Sequence, residues 1–85
     1  MIDTHGLPMK FEFCLGRYVD SPSRKTWIID FSDTKGGNPV LYASDDRADD
    51  TYGWSASEIV INLEDGSWVL LSTFDELPVQ VEDLL

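Results

Sequence analysis

Eighty-five residues make one small domain, expected to span 1–85, and a chain of this size has little room for a deep catalytic cleft. Hydrophobic residues at 42% and aromatic residues at 12% exclude a chain that stays unfolded. The formal net charge of −10 excludes a nucleic-acid-binding surface of the usual kind, which relies on basic side chains displacing counterions.

Taken in chain order, the pattern is one of strands and turns. Met9, Phe11, Phe13 and Leu15 alternate with Lys10, Glu12 and Cys14, the period-two signature of a half-buried strand, which Ser21-Pro22-Ser23 ends. A second strand is predicted over Thr26 to Phe31, with Trp27, Ile29 and Phe31 on one face. The Lys35-Gly36-Gly37-Asn38 cluster then turns the chain into Val40-Leu41-Tyr42. Pro39 cannot donate to a ladder, so this strand is expected to start there or to lie at an edge. Residues 44–57 show no clear periodicity and read as a long loop or a partly helical stretch. If helical, it would bring Asp45 near Asp49 and Asp46 near Asp50 at i,i+4 spacing, which local stability disfavours.

Asp65-Gly66 is a favoured pair for the tip of a two-residue hairpin. In that register Leu63 faces Trp68, Ile61 faces Leu70 and Ile59 faces Ser72. The buried face would hold Ile59, Ile61, Leu63, Trp68 and Leu70, and the other face Val60, Asn62, Glu64, Val69 and Leu71. Thr73 with Glu76 has capping-box spacing, and residues 73–85 read as one or two helical turns packing through Phe74, Leu77, Val81, Leu84 and Leu85. The expected fold class is therefore α+β: a single small domain dominated by an antiparallel sheet of about five strands, with a short helical C-terminal end.

The inventory of reactive groups argues against catalysis. His5 is the sole histidine and lies beside Gly6 and Pro8 with no motif around it, so a triad lacks its base. Cys14 falls on the Lys10/Glu12 face, where a partly exposed structural thiol is expected, and one lysine does not make an activated nucleophile. The Asp45 to Asp50 cluster lacks the alternating acids, central glycine and terminal glutamate of a calcium loop, and zinc has too few soft ligands. No catalytic residue, metal or cofactor is expected. A single cysteine, no apolar run of membrane length and no signal-peptide pattern point to a cytoplasmic protein, in a bacterial or infected cell.

Charge supplies the functional expectation. Residues 1–42 carry acids and bases in equal number, whereas residues 43–85 carry Arg47 as their only base, so the whole excess is confined to the second half. Such a field speeds encounter with a partner of opposite sign. It predicts a protein partner with a basic surface, a nucleic-acid-processing enzyme or complex whose groove the chain would block, with no direct nucleic-acid or membrane binding. The expected contact residues are Asp45, Asp46, Asp49, Asp50, Glu58, Glu64 and Asp65, with Tyr52 and Trp54 as apolar anchors.

Size, acidity and the missing catalytic set resemble the small phage-encoded inhibitors that imitate DNA, of the uracil-DNA glycosylase inhibitor, anti-restriction and anti-CRISPR types. The nine residues Ser57-Glu58-Ile59-Val60-Ile61-Asn62-Leu63-Glu64-Asp65 are similar to the acidic edge strand Glu-Ser-Ile-Leu-Met-Leu-Pro-Glu-Glu of the glycosylase inhibitors. The first two residues are reversed, an asparagine interrupts the apolar run and the proline is missing. The resemblance implies that Glu58 and Glu64 stand in for phosphates. An immunity protein against a nuclease toxin would share the charge, and an ordinary interaction module would use the Val60/Val69/Leu71 face with little sensitivity to salt.

Overall fold

In the computed structural model, which describes residues 4–51 and 53–74, the chain forms a five-stranded antiparallel sheet with one helix, an α+β domain as the sequence predicts. The strands are β1 (Lys10–Leu15), β2 (Thr26–Lys35), β3 (Asn38–Ala43), β4 (Asp46–Thr51) and β5 (Trp68–Thr73), and the helix α1 is Ala56–Glu64. The order across the sheet is β4-β3-β2-β1-β5. Thus β4 and β5 form opposite edges, and α1 carries the chain from one edge to the other.

The first half of the chain follows its pattern closely. Phe11, Phe13 and Ile29 are buried on one face, and Phe31, Leu41, Ile59 and Trp68 complete the core with them. Gly36 and Gly37 both adopt positive φ, 62° and 84°, between the paired residues Lys35 and Asn38. This is the two-residue turn that matches strand twist. Pro39 lies near the start of β3. That strand is internal, but its ladder with β4 begins at Leu41↔Thr51, so the missing N–H of Pro39 interrupts nothing on that side. A register shift between Asp30 and Thr34 is held by Asp30, whose Oδ1 accepts from both the backbone N–H (2.9 Å) and the hydroxyl (2.6 Å) of Ser32.

Two expectations are overturned. The segment expected as the first arm of a hairpin is α1, and the segment expected as a loop or partial helix contains β4. Ile59-Val60-Ile61 has modest helix propensity, and a short apolar run does not distinguish strand from buried helix. The ends decide. Ser55 and Glu58 form a reciprocal capping box: the Glu58 N–H donates to Ser55 Oγ (3.3 Å) and the Ser55 N–H to Glu58 Oε1 (3.1 Å). At the other end Gly66, with φ 84°, stops the helix, its N–H donating to Leu63 O (3.4 Å). The Asp65-Gly66 pair is thus a helix terminator and not a hairpin tip.

Once the segment is helical, Ile59 is fully buried, Ala56 and Leu63 pack beside it, and Ile61 is 59% exposed. Leu70, expected in the core, is 36% exposed and pairs with Phe13 on β1. Val60 stays on α1, away from the β5 residues Val69 and Leu71 with which it was expected to share a face. Cys14 is fully buried, not partly exposed. Thr73 is the last residue of β5, opposite Phe11. The rest of the expected helical end, 75–85, lies outside the described residues.

On the face away from α1, a polar cluster ties three strands and the β3–β4 turn together. The carboxylate of Glu12 on β1 accepts from Thr26 of β2 (2.8 Å) and Ser72 of β5 (3.3 Å), and Thr26 Oγ1 contacts the hydroxyl of Ser44, which follows β3. One glycine is fixed by close approach. A Cβ on Gly16 would lie 2.1 Å from the carbonyl oxygen of Gly66, where the 3-10 turn after β1 meets the end of α1 and the Gly16 N–H donates to Ser67 O (2.8 Å).

These placements give two expected outcomes in a denaturant titration. Ile59→Ala should destabilise by roughly 2–5 kcal/mol and Ile61→Ala by less than about 1 kcal/mol; equal losses at the two positions would contradict the helix. Gly16→Ala should cost roughly 1–3 kcal/mol through forced displacement of the α1 terminus, whereas Gly53→Ala, with nothing within 4 Å of the added atom, should be mild.

Candidate functional site

The acidic residues singled out from the sequence do not converge on one site. Asp45 lies in the tight Ser44-Asp45 turn between β3 and β4, exposed. Asp46, Asp49 and Asp50 belong to β4, and the described side chains, Asp46 and Asp50, are exposed. Asp50 pairs with Tyr42 of β3, and Asp46 Oδ1 accepts from the Ala48 N–H (3.2 Å). Tyr42 and Ala43 are adjacent on β3, but their partners Asp50 and Asp46 have three residues between them on β4, where a regular ladder would have none. That bulge bends the edge and interrupts its alternation.

Glu58 and Asp65 are committed locally. Glu58 serves the N-terminal box of α1. Its carboxyl is held below the usual range first by the Ser55 backbone N–H and second by the Ser55 side chain. Asp65 accepts from the Ser67 N–H (2.8 Å), which lowers its pKa, with the Ser67 side chain adding to the effect. Both groups are fully exposed, so these are solvent-screened interactions. Glu64, exposed, ends α1. Because Glu58 and Glu64 sit on a helix, the likeness of 57–65 to an acidic edge strand has no counterpart in the backbone here. The acidic edge of this fold is β4.

Trp54 belongs to a different environment. Phe13 stacks on Trp68 with centroids 4.5 Å apart and on Trp27 at 5.9 Å, and Trp54 meets Trp68 edge to face at 5.1 Å. These four rings, with Leu15 and Leu41, line an open cavity of about 250 Å³. Trp54 is 38% exposed and forms its outer wall. A second cavity of about 260 Å³ adjoins it at Leu15 and Trp27 and is lined further by Tyr18, Ser21, Ser23, Arg24 and Lys25. The sequence signal for this pair of cavities was available: three tryptophans, with Arg24-Lys25 two residues before one of them. Tyr52, the other expected anchor, lies outside the described residues.

His5 is exposed in a turn with φ 56°. Among the described residues no three His, Cys, Asp or Glu side chains are grouped so as to hold a metal ion, and no helix is long and apolar enough to cross a membrane. Compared with known proteins, the chain gives no significant match to any family model, curated protein or solved structure.

The cap chemistry gives a pH prediction. A carboxyl whose pKa is lowered by folding contributes stability above its unfolded pKa, and the contribution disappears as pH falls through the folded value. The stabilisation from Glu58 and Asp65 should therefore be present at neutral pH and lost in the acid range. Ser55→Ala should lose about 1 kcal/mol at neutral pH and, in an NMR titration, move the Glu58 carboxyl only part of the way back up, because the backbone N–H of residue 55 remains. An unmoved Glu58 titration would show that the Ser55 side chain does not help to hold the charge.

Proposed function

We propose that this chain is a non-enzymatic binding protein that presents the acidic β4 edge, through Asp45, Asp46, Asp49 and Asp50, to the basic groove of a nucleic-acid-processing protein and occupies it in place of DNA. The observation that carries this reading is the location of the charge: the exposed carboxylates of Asp45, Asp46 and Asp50 sit on and beside an edge strand, whose outer side can face a groove. Carboxylates on such a strand meet lysine and arginine side chains as phosphate oxygens do. The excess charge of the second half steers the encounter. Glu58 and Asp65 are part of the general field and not of the contact, since Glu58 lies on α1 and Asp65 follows it, neither on the β4 edge.

A second reading has its own support. Charged residues and a bulge on an edge strand also block pairing with other sheets, so β4 protects the monomer from edge-to-edge aggregation. The two readings part in one experiment. The purified protein is immobilised and exposed to cell lysate at low salt, beside a variant with Asp45, Asp46, Asp49 and Asp50 all changed to asparagine. Groove occupation predicts that nucleic-acid-processing proteins are retained by the parent, released by duplex DNA and by salt, and bound at least tenfold less by the variant, because exposed charge pairs weaken beyond about 8–10 Å at physiological ionic strength. Retention indifferent to DNA, salt and the four substitutions would defeat the proposal. Aggregation of the variant with no change in retained proteins would establish the protective role instead.

A further inference from the structure

We propose that the adjoining cavities around Trp27 form a binding site for a small planar aromatic anion, its ring held among Trp27, Trp54 and Trp68 and its anionic group by Arg24 and Lys25. The inference is independent of the groove-occupation reading. It rests on four observations. The aromatic cavity is open to solvent, with the partly exposed Trp54 in its wall. Its neighbour shares Leu15 and Trp27 with it, so a single ligand reaches both; volumes of about 250 and 260 Å³ together approach the size of small-molecule sites, roughly 300–1,000 Å³. Flat rings stack on indole faces irrespective of sequence or substituent.

The fourth observation is charge. In a chain with 16 acids and 6 bases, neither Arg24 nor Lys25 forms an ion pair among the described residues. Arg24 instead donates from Nη1 to Val19 O (2.9 Å), which fixes the guanidinium against its own loop and leaves other N–H donors for an oxyanion. Ser21 and Ser23, whose hydroxyls lie 3.4 Å apart, line the same cavity and add neutral donors.

The surroundings limit the anion's length. Ser44 donates to Thr26 O (3.1 Å), so the Ser44-Asp45 turn abuts the end of the basic loop, whereas Asp46, paired with Ala43 and through it with Trp27, lies two strands out, about 10 Å. Asp65 lies on the other side, beside the Gly16–Gly66 contact. A nucleic-acid strand crossing the basic loop would run into these carboxylates, whereas a single phosphate or carboxylate on one ring would not. The shared chemistry is thus one flat ring bearing one anionic group.

Calorimetric titration of the full chain with adenosine 5′-monophosphate and with indole-3-acetate tests this, with adenosine and indole as uncharged counterparts and circular dichroism confirming the fold of each variant. At least one of the two anions should bind saturably, at least tenfold more tightly than its uncharged counterpart. The tighter of the two identifies phosphate or carboxylate as the anionic group. Lys25→Ala and Arg24→Ala combined should weaken it about tenfold or more, as should Trp54→Ala, which removes a partly exposed wall of the cavity. Asp45→Asn with Asp46→Asn should leave it unchanged or slightly tighter. Should Trp54→Ala disturb the fold, Trp54→Phe, which keeps a smaller ring, should weaken binding less than the loss of both cations. No saturable binding of either anion, or binding that ignores the charge of the ligand and the two cations, overturns the proposal.

Discussion

Phe13 is the side chain on which this small sheet turns. Its ring lies between Trp27 of β2 and Trp68 of β5, stacked on both, so a single residue of β1 couples the interior of the sheet to one of its edges. Aromatic pairs of this kind contribute roughly 0.5–1.5 kcal/mol beyond the area they bury. In a domain of 85 residues that is a sizeable share of the net stability. The opposite face is joined by other means, through Glu12 and the hydroxyls of Thr26, Ser44 and Ser72. A carboxylate with two hydroxyl donors on a half-buried face is satisfied where an unpaired one would be costly. β1 therefore carries both fastenings, aromatic on one side and polar on the other.

The consequence for the helix is geometric. α1 must travel from β4 at one edge to β5 at the other, and nine helical residues span about 13.5 Å, less than the roughly 19 Å across five strands. It cannot cover the whole face. Ile59 and Leu63 seal the part over Phe11 and Phe13, and the connection before the helix lays Trp54 on Trp68 without closing the remaining aromatic surface. The open cavity is thus a result of a short helix on a wide sheet, and three large indoles are what fills the space that the helix leaves.

How much of this was legible follows from where the information sits. β1, β2, the Gly36-Gly37 turn and β3 could be read because alternation and turn chemistry agreed locally. α1 was not read, although Ser55 and Glu58 announce a capping box, because Ile59-Val60-Ile61 favours strands and Asp65-Gly66 serves equally as a hairpin tip or as a helix stop. Tertiary burial of Ile59 resolves the ambiguity, and burial is not a local property. β4 was hidden for a different reason. Asp46-Arg47-Ala48-Asp49-Asp50-Thr51 has neither an apolar face nor high β propensity, and it becomes a strand only because β3 offers it an unpaired edge. Of the candidate contact residues, Asp45, Asp46 and Asp50 keep exposed places on and beside one edge strand, whereas Glu58 and Asp65 hold the ends of α1.

That division changes the meaning of the acidic half. Acids at helix ends are accounted for by the caps they make: Glu58 favours the positive end of the helix dipole, and Asp65 secures the turn that follows. On β4 Asp46 also accepts a local hydrogen bond, from the Ala48 N–H. The strand has poor intrinsic propensity and self-repelling charge and is held by pairing to β3, so its composition is paid for by the rest of the fold. Charges on such an edge strand protect it from pairing with other sheets. The aspartates between 45 and 50 begin at the end of the sheet where the loop of Arg24 and Lys25 also emerges. On the two proposed readings the groups serve different partners: the carboxylates a basic macromolecular surface, the cations a small anion seated on the tryptophans.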